Sequence, residues 1–519
     1  MSTDGTSSTP ESPRPSPATF NPEADYPDPR NVRQRNDDGQ AAAHQSAAIT
    51  DRGSNPHEYV DGMIESIQAA RLAVADWELR DPPIQFDVLP DPRPRDPDQP
   101  DMGITMLVVR GELLLRVPVL PAGPPAGHEE TVSAGGAETA GEPPPWERAA
   151  ALLSGLGYRQ IRDHSPMGLP LHVYSVVDRE PEQLVADRDR IRAETGAEVD
   201  LNYVVTLGHV VKADDYPRAT AARRCYSPEW IRCHPVRRRI TVAVIDTGVN
   251  HEGRTDGWLA GITETGANVD PLDVFPVQRD ENGEIVRGDG LLDLSAGHGS
   301  FVAGTVEQVA PAATIVVYRA ADTQGFAKSD DIANALLQAV RAGADIVNMS
   351  LGVQTVDDLP PLPFTTAVDI VQNEFPGVVI VASAGNTGQE VPLFPAAMKG
   401  VVGVGALKAD LTPVSWSNHG FWLDCSAVGV GITSTFVKGK EQHTEAGQVV
   451  VEQFDSNSWA LWSGTSFSAP QIAGGVAQIC QLDDVSPQVA LGLLLDGRPV
   501  LPGYGTLIRI LPGTPLTGP

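Results

Sequence analysis

The pattern of apolar and polar positions divides the 519-residue chain into segments of different kinds. Residues 1–57 carry few large apolar side chains among many Pro, Ser, Asp, Asn and Gln, so burial cannot offset the entropy lost on ordering. We predict that this segment is disordered. Residues 58–111 begin with apolar positions at helical spacing from Tyr59 to Leu79, which predict a helix, and continue with a Pro/Asp linker and a strand extension.

Residues 112–210 show short apolar runs that alternate with helical patterns. Leu113 to Leu120 predicts a strand that pairs with Ile104 to Val109 across Arg110-Gly111. The later elements are a helix from Trp146 to Leu156 ended by Gly157, strands from Tyr158 to Ile161 and from Leu171 to Val177, a helix from Pro181 to Thr195 ended by Gly196, and a strand from Val199 to Leu207. The order β-α-β-β-α-β predicts a ferredoxin-like domain.

An Arg-rich linker, residues 211–239, separates this unit from residues 240–519. There, apolar strands alternate with helical stretches, which predicts a doubly wound parallel sheet with helices on both faces. The predicted strands run from Ile240 to Ile245, Ile315 to Tyr318, Ile346 to Met349, Val378 to Ser383 and Val401 to Val404. The expected fold class is therefore α/β, with a ferredoxin-like domain and a disordered N-terminus in front.

Composition narrows the function classes. A net charge of −29 argues against nucleic acid as a partner, because phosphate binding needs a basic surface. Four cysteines in so long a chain do not form a disulfide framework, and Cys225, Cys233 and His234 match no zinc spacing. We find no basic and apolar leader and no run of about 18 apolar residues, so we expect a cytoplasmic protein without membrane contact.

Three segments carry residues that together suggest nucleophilic catalysis. Asp246 ends an apolar strand, His298 is flanked by glycines where a helix begins, and Ser466 stands at the start of another helix whose Pro470 we place in the first turn. Separately these residues fit a ribose-binding acid, a loop histidine and an N-cap serine. As a set, in the order Asp, His, Ser, they supply a carboxylate to orient a base and a base to activate a hydroxyl.

These segments resemble the signatures of the subtilisin-like serine protease (subtilase) family over residues 240–510. The matching stretches are Asp246-Thr247-Gly248, Gly297 to Gly304 (GHGSFVAG) and Gly464 to Pro470 (GTSFSAP). The resemblance implies that Asp246 orients, His298 is the general base and acid, Ser466 attacks the scissile carbonyl, and Asn386 donates its amide to the oxyanion. Ser300 and Phe301 depart from the usual Thr and His of the family.

The resemblance also implies a substrate cleft. Ser350, Leu351 and Gly352 would lie along one side of an extended peptide and Gly325 along the other, with Ser383, Ala384 and Gly385 lining a first specificity pocket in which small residues leave room for a large apolar side chain. The insert Thr255–Asp293 lengthens the spacing between Asp246 and His298. We interpret its acidic residues (Asp256, Asp270, Asp273, Asp289, Asp293) as solvated loop carboxylates rather than calcium ligands, so no metal or other cofactor is expected.

Many subtilases carry a ferredoxin-like propeptide. We therefore expect residues 112–210 to act as a propeptide-like domain whose C-terminal tail contacts the cleft, with residues 211–239 as the candidate cleavage region; a permanent structural domain is the alternative. The leading function is a serine endopeptidase that acts on protein or peptide. The competing hypotheses are a non-catalytic pseudoprotease scaffold and an esterase that uses the same triad.

Overall fold

The computed structural model describes most of the chain beyond residue 83. The described residues are 84–89, 106–118, 142–207, 216–220, 236–262, 266–279, 282, 284–445 and 448–513. The predicted disordered segment, the predicted helix from Tyr59 to Leu79, and Cys225, Cys233 and His234 lie outside these ranges. Among the described helices, none is both long and apolar enough to cross a membrane.

Seven α-helices, one short 3-10 helix (Ser165–Met167) and twenty-one strands occur among these residues. The helices are α1 (Pro145–Gly155), α2 (Pro181–Thr195), α3 (His298–Val309), α4 (Ser329–Arg341), α5 (Leu362–Glu374), α6 (Thr465–Asp483) and α7 (Pro487–Leu495). The strands of the first half are β1 (Phe86–Leu89), β2 (Met106–Arg116), β3 (Arg159–Asp163), β4 (Leu171–Ser175), β5 (Val199–Thr206) and β6 (Arg218–Thr220). The remaining strands are β7 (Thr241–Asp246), β8 (Val277–Arg279), β9 (Ile285–Arg287), β10 (Thr314–Arg319), β11 (Phe326–Lys328), β12 (Ile346–Met349), β13 (Val379–Ser383), β14 (Val401–Leu407), β15 (Cys425–Val428), β16 (Ile432–Thr435), β17 (Gly439–Glu445), β18 (Gln448–Phe454), β19 (Trp459–Trp462), β20 (Val500–Leu501) and β21 (Gly505–Ile508).

The N-terminal unit is an antiparallel sheet with strand order β5-β2-β4-β3, and β1 pairs with β2. The predicted hairpin across Arg110-Gly111 is wrong, because both apolar runs belong to the single strand β2. Gly111 lies in a bulge instead: its φ is +67° and the register against β5 shifts between Val108 and Leu113. A bulge lets one strand continue through a glycine that, in the sequence, resembles a turn.

The second half is built on an eight-stranded sheet with the order β10-β7-β12-β13-β14-β15-β21-β20. All of its neighbours are parallel except β20 and β21. Successive side chains of β7 enter different cores. Val242 and Val244 pack in the cluster that contains residues of α3 and α6, whereas Ala243 and Ile245 pack in the cluster that contains residues of α4 and α5. Both faces of the sheet are therefore buried, as a parallel sheet requires.

Two short strands join the units to each other. β11, from the second half, adds to the N-terminal sheet by antiparallel pairing with β5. β6, which follows the N-terminal unit in sequence, adds to the second half by antiparallel pairing with β19. The hydrophobic cluster of the N-terminal sheet also continues without a break into α4 and α5.

The bulge in β2 generates a stability prediction. A Cβ added at Gly111 would lie 2.2 Å from the carbonyl oxygen of Val176, and its positive φ disfavours any other residue. We expect Gly111→Ala to destabilise the chain by at least ~2 kcal/mol and to lower the thermal unfolding midpoint by several degrees. Gly155→Ala is the matched control, because nothing lies within 4 Å of its Cβ position. Equal midpoints for the two variants would contradict the prediction.

Candidate active site

The carboxyl ends of the parallel strands bring two of the predicted catalytic residues together. Asp246 is the last residue of β7 and is fully buried, and His298 is the first residue of α3. Nδ1 of His298 lies 2.7 Å from Oδ1 of Asp246. Because an ionised carboxylate only accepts hydrogen bonds, Nδ1 donates and Nε2 is left with a lone pair that can take a proton. The backbone N–H of Thr247 donates to the same Oδ1 at 2.8 Å.

Ser466 is the second residue of α6 and is buried. Aromatic residues on either side of it in sequence hold the His298 ring: the ring centroids of Trp462 and Phe467 lie 5.6 Å and 5.4 Å from that of His298. Phe301, one of the departures from the family pattern, packs against both of these aromatic rings. The histidine thus lies in an apolar setting next to the serine segment.

Asn386 lies in the turn after β13 and is oriented by Thr465, the residue before Ser466. Its Oδ1 accepts hydrogen bonds from the backbone N–H and from the hydroxyl of Thr465, both at 2.9 Å. The Thr465 hydroxyl in turn accepts from the backbone N–H of Gly385 at 3.0 Å. With the oxygen committed to Thr465, the amide nitrogen of Asn386 is the group left to donate. Sequence reasoning missed Thr465, although its position next to Ser466 was a usable signal.

Pro470 lies deeper in α6 than predicted. It is the sixth residue of the helix rather than part of the first turn, so it cannot donate to the Ser466 carbonyl four residues earlier. The hydroxyl of Ser350 donates to that carbonyl at 2.8 Å. Ser350 and Leu351 are buried, so the Ser350 side chain supports the segment that carries Ser466. The roles predicted for both residues along a substrate stay predictions.

Asp270 ties the two catalytic segments to each other. Its Oδ2 accepts from the Thr247 hydroxyl at 3.0 Å and from the backbone N–H of Gly297 at 2.8 Å. The Thr247 hydroxyl also accepts from the N–H of Gly299 at 3.1 Å. Asp270 therefore links the turn after Asp246 to the residues on both sides of His298.

The interpretation of the insert acids as solvated is wrong for two of them. Asp270 and Asp293 are buried, and Asp293 accepts from the N–H of Val274 at 2.8 Å and from the hydroxyl of Thr323. Burial raises the pKa of each carboxyl to about 6, against the opposing effect of these hydrogen bonds. Sequence alone places acids in an insert but does not show that the insert folds inward.

The predicted cleft edges are in contact with the N-terminal unit. Gly352 and Thr206 exchange two backbone hydrogen bonds, 3.1 Å and 3.0 Å long, and the N–H of Leu207 donates to the carbonyl of Gly325 at 3.0 Å. The end of β5 therefore runs between the two predicted edges as an added strand. Ser383, Ala384 and Gly385 are buried behind Asn386 at the end of β13 and in the turn that follows.

A buried polar network fixes the N-terminal unit against α4. The side-chain amide of Asn202 donates to Glu112 at 2.8 Å and to Asp330 at 2.9 Å. Asp330 also lies 2.8 Å from Nε2 of His164 and 2.9 Å from the guanidinium of Arg162. Burial opposes ionisation of Asp330, but these partners outweigh it and hold its pKa below the usual value.

His164, Asp330 and Asp331 could in principle hold a metal ion. Arg162 already bonds both carboxylates, at 2.9 Å to Asp330 and 3.2 Å to Asp331. The chain therefore supplies its own positive charge between them.

These features define an α/β protein with an Asp-His pair, a helix-start serine and an oriented amide at the carboxyl ends of one sheet. Residues 237–494 match the model of the subtilase family. Through its second half the chain belongs to the subtilase family.

Relatives agree with this assignment. The thermophilic serine proteinase of Bacillus sp. (strain AK1) is 33% identical over 233 residues, which cover 45% of this chain and 50% of that protein. Subtilisin E of Bacillus subtilis (strain 168) is 28% identical over 253 residues, or 46% of this chain and 55% of that one. The match thus spans about half the length of these relatives.

One solved structure extends the likeness of the fold beyond the matched half. Fervidolysin from Fervidobacterium pennivorans, described as a keratinolytic enzyme related to subtilisin, aligns with a TM-score of 0.50 at 19% identity. The alignment covers 85% of this chain and 64% of that one.

The buried Asp270 generates a prediction of pH dependence. Its folded-state pKa of about 6 lies above the ordinary 3.8, so its contribution to stability is present at low pH and is lost as pH rises from about 4 to above 6. Asp270→Asn removes this titration. We expect the unfolding free energy of the wild type, relative to the variant, to fall by on the order of 2 kcal/mol between pH 4 and pH 7. Urea unfolding at pH 4, 5, 6 and 7 measures this difference.

The exposed carboxylate of Asp483 provides the control, because Asp483→Asn removes one charge without changing a buried group. A wild-type-to-Asp270→Asn difference that stays constant across the range would rule out the assigned titration.

Proposed function

We propose that this protein is a serine endopeptidase. The observation that carries the proposal is the 2.7 Å contact between His298 and Asp246, next to a serine whose neighbour Thr465 orients Asn386. In this mechanism Nε2 of His298 takes the proton from Ser466 as Oγ attacks the scissile carbonyl. The Asn386 amide stabilises the oxyanion, and His298 then gives its proton to the leaving amine. Water, activated by the same histidine, releases the acyl group from Ser466.

Peptide is the favoured substrate class because the cleft edges already hold a peptide backbone. Gly352 and Gly325 bond the main chain of Thr206 and Leu207, and these contacts do not depend on the side chains of the bound strand. An esterase using the same triad would not need such edges. A pseudoprotease scaffold would not need the buried and oriented set of Asp246, His298 and Asn386. The side chains of Asp246, His298, Asn386 and Ser466 supply the groups that this mechanism uses, so we propose no cofactor for the reaction. We also propose a cytoplasmic location.

We further propose that the N-terminal unit is a ferredoxin-like, propeptide-like domain that inhibits the enzyme. The strand order β5-β2-β4-β3 with two intervening helices supports the fold assignment. The end of β5 takes the position that a substrate would take between Gly325 and Gly352, and the network around Asp330 holds the domain in register. Substrate can enter only when this strand leaves.

The flanking contacts narrow the expected site of self-cleavage. The backbone of Leu207 is hydrogen-bonded to Gly325 on one side of the cleft. The next described residues, 216–220, contain β6, which pairs with β19. Strand β19 ends four residues before Ser466. When one chain is bound on both sides of Ser466, the peptide bond that reaches the serine lies between the two bound stretches. We therefore place the cleaved bond after Leu207 and before Tyr216, which overlaps only the beginning of the predicted region 211–239.

Replacing the nucleophile tests the activity and the processing together. We expect the wild type to label with a fluorophosphonate, to cleave casein and to give a new N-terminus within residues 208–216, read by N-terminal sequencing and intact mass. Ser466→Ala should lose labelling and stay whole because it lacks the attacking oxygen. Ser154→Ala, which changes an exposed serine of α1, is the control and should behave as the wild type.

The outcomes separate the hypotheses. Failure of the wild type to label even after limited proteolysis has released the N-terminal unit would overturn both enzyme hypotheses, and labelling without casein cleavage would favour the esterase. A labelled chain that stays whole would overturn self-processing alone. A new N-terminus among the arginines of residues 223–239 would show that the narrower position is wrong.

Removal of the oxyanion donor gives a second prediction. Asn386→Ala should lower kcat by about 10²–10³ with little change in KM, because the lost hydrogen bond forms only in the transition state; the magnitude is that known for subtilisin's own donor. Asn386→Asp keeps the acceptor for Thr465 but removes the donor, so it should be at least as slow. Steady-state hydrolysis of a peptide p-nitroanilide, per labelled Ser466, measures both. An unchanged kcat would remove Asn386 from the mechanism.

A further inference from the structure

Leu393 lies between Gly385, in the segment predicted to line the first specificity pocket, and Gly352, in the segment predicted to lie along the substrate backbone. A Cβ placed on Gly352 would lie 2.2 Å from Cδ2 of Leu393, and a Cβ placed on Gly385 would lie 2.8 Å from the same atom. Gly352 therefore faces the Leu393 side chain, and Gly385 faces both Leu393 and the side-chain amide of Asn418, whose Nδ2 would lie 2.7 Å from the added Cβ. The sequence predicts a pocket with room for a large side chain, but the side chain of Leu393 occupies that space.

The backbone holds Leu393 in this place. Its neighbour Phe394 exchanges two backbone hydrogen bonds of 2.9 Å with Val353, the residue after Gly352. The carbonyl of Leu393 accepts from the N–H of Ala397 at 2.8 Å. These bonds fix the backbone of Leu393 and Phe394, so the main chain cannot carry Leu393 away from Gly352 without breaking the pairing with Val353.

The location of the pocket relative to Asn386 gives its role in the reaction. The attacked carbonyl must lie at the Asn386 amide, and the side chain of the same substrate residue is attached to the α-carbon next to that carbonyl. Gly385 directly precedes Asn386, and Gly352 bonds the strand that runs toward the site. The space between these glycines is thus where the side chain on the N-terminal side of the cut bond must fit.

We infer that Leu393 restricts this pocket to small side chains, so that the enzyme cuts after residues such as Gly and Ala and rejects Phe. The inference rests on the proposed endopeptidase function and deepens it by naming the substrate class. A cut after Gly208, the residue that follows Leu207, would fit this preference because glycine has no side chain to place. An aromatic ring would require the leucine to leave.

Two peptide p-nitroanilides that differ only in Ala or Phe before the cleaved bond test the inference. Rates are measured on the full chain after self-processing and divided by the amount of Ser466 labelled by fluorophosphonate. We expect the wild type to favour Ala over Phe in kcat/KM by at least ~10-fold, and Leu393→Ala to raise the Phe-to-Ala ratio by ~10²-fold. Leu393→Met, close in volume, is the control and should keep the preference for Ala.

The result that overturns the inference is a wild type that prefers Phe, or a Phe-to-Ala ratio that Leu393→Ala leaves within about twofold of the wild type. The wild-type ratio decides the question even if Leu393→Ala does not fold, as judged by its thermal midpoint. Absence of labelling after limited proteolysis has released the N-terminal unit would overturn the proposed function and the inference together. Labelling with preference for Phe would overturn the inference alone.

Discussion

The hydrogen bond between His298 and Asp246 is the interaction on which the site depends. Asp246 is fully buried, and its Oδ1 takes the bonds from His298 and Thr247 while its Oδ2 has no hydrogen-bond partner within the part of the chain that the structure describes. A buried carboxylate with so few hydrogen-bond donors is stabilised by the histidine, and the histidine in turn is oriented by the carboxylate. The pair is stable only if both segments are held rigidly, and much of the surrounding structure supplies that rigidity.

That support comes from polar groups one layer behind the pair. Asp270 joins the turn after β7 to the start of α3, and Ser350 bonds the carbonyl that Pro470 leaves free in α6. Thr465 connects the nucleophile segment to the turn that carries Asn386. Each of these links crosses from one sheet-end segment to another. The parallel sheet places the segments side by side, and the buried hydroxyl and carboxylate groups fix their spacing.

The sequence was sufficient for five strands of the eight-stranded sheet (β7, β10, β12, β13 and β14), because each is a short apolar run next to a helical pattern, but β15, β20 and β21 of the same sheet were not predicted. It also predicted the pair of Asp246 and His298, which lie 2.7 Å apart, from the glycine turns beside them; the catalytic roles of both residues stay predictions. Prediction from the sequence failed where residues far apart in the chain determine the local structure. Gly111 resembles a turn but is a bulge because β5 pairs on both sides of it, and Asp270 resembles a solvated acid but is buried by the folding of its own insert.

The predicted specificity pocket shows the same limit of prediction from local sequence. Gly352 and Gly385 suggest an open space when only their own sizes are considered. Leu393 lies only seven positions after Asn386, and its side chain occupies that space. The backbone pairing of Phe394 with Val353 positions it there, and no local sequence pattern predicts that pairing. Small residues in a pocket wall therefore predict an open pocket only when the position of the neighbouring loop is known.

The single hydrophobic cluster that runs from the N-terminal sheet into α4 and α5 has a consequence for what a cut can achieve. Leu114 and Leu201 belong to the same continuous core as Leu337 and Val371. Breaking one peptide bond after Leu207 leaves that core intact, so severing the chain and separating its halves are different events. A nicked molecule would persist as a two-chain complex, and the lifetime of that complex, rather than the speed of the cut, would set when the cleft opens.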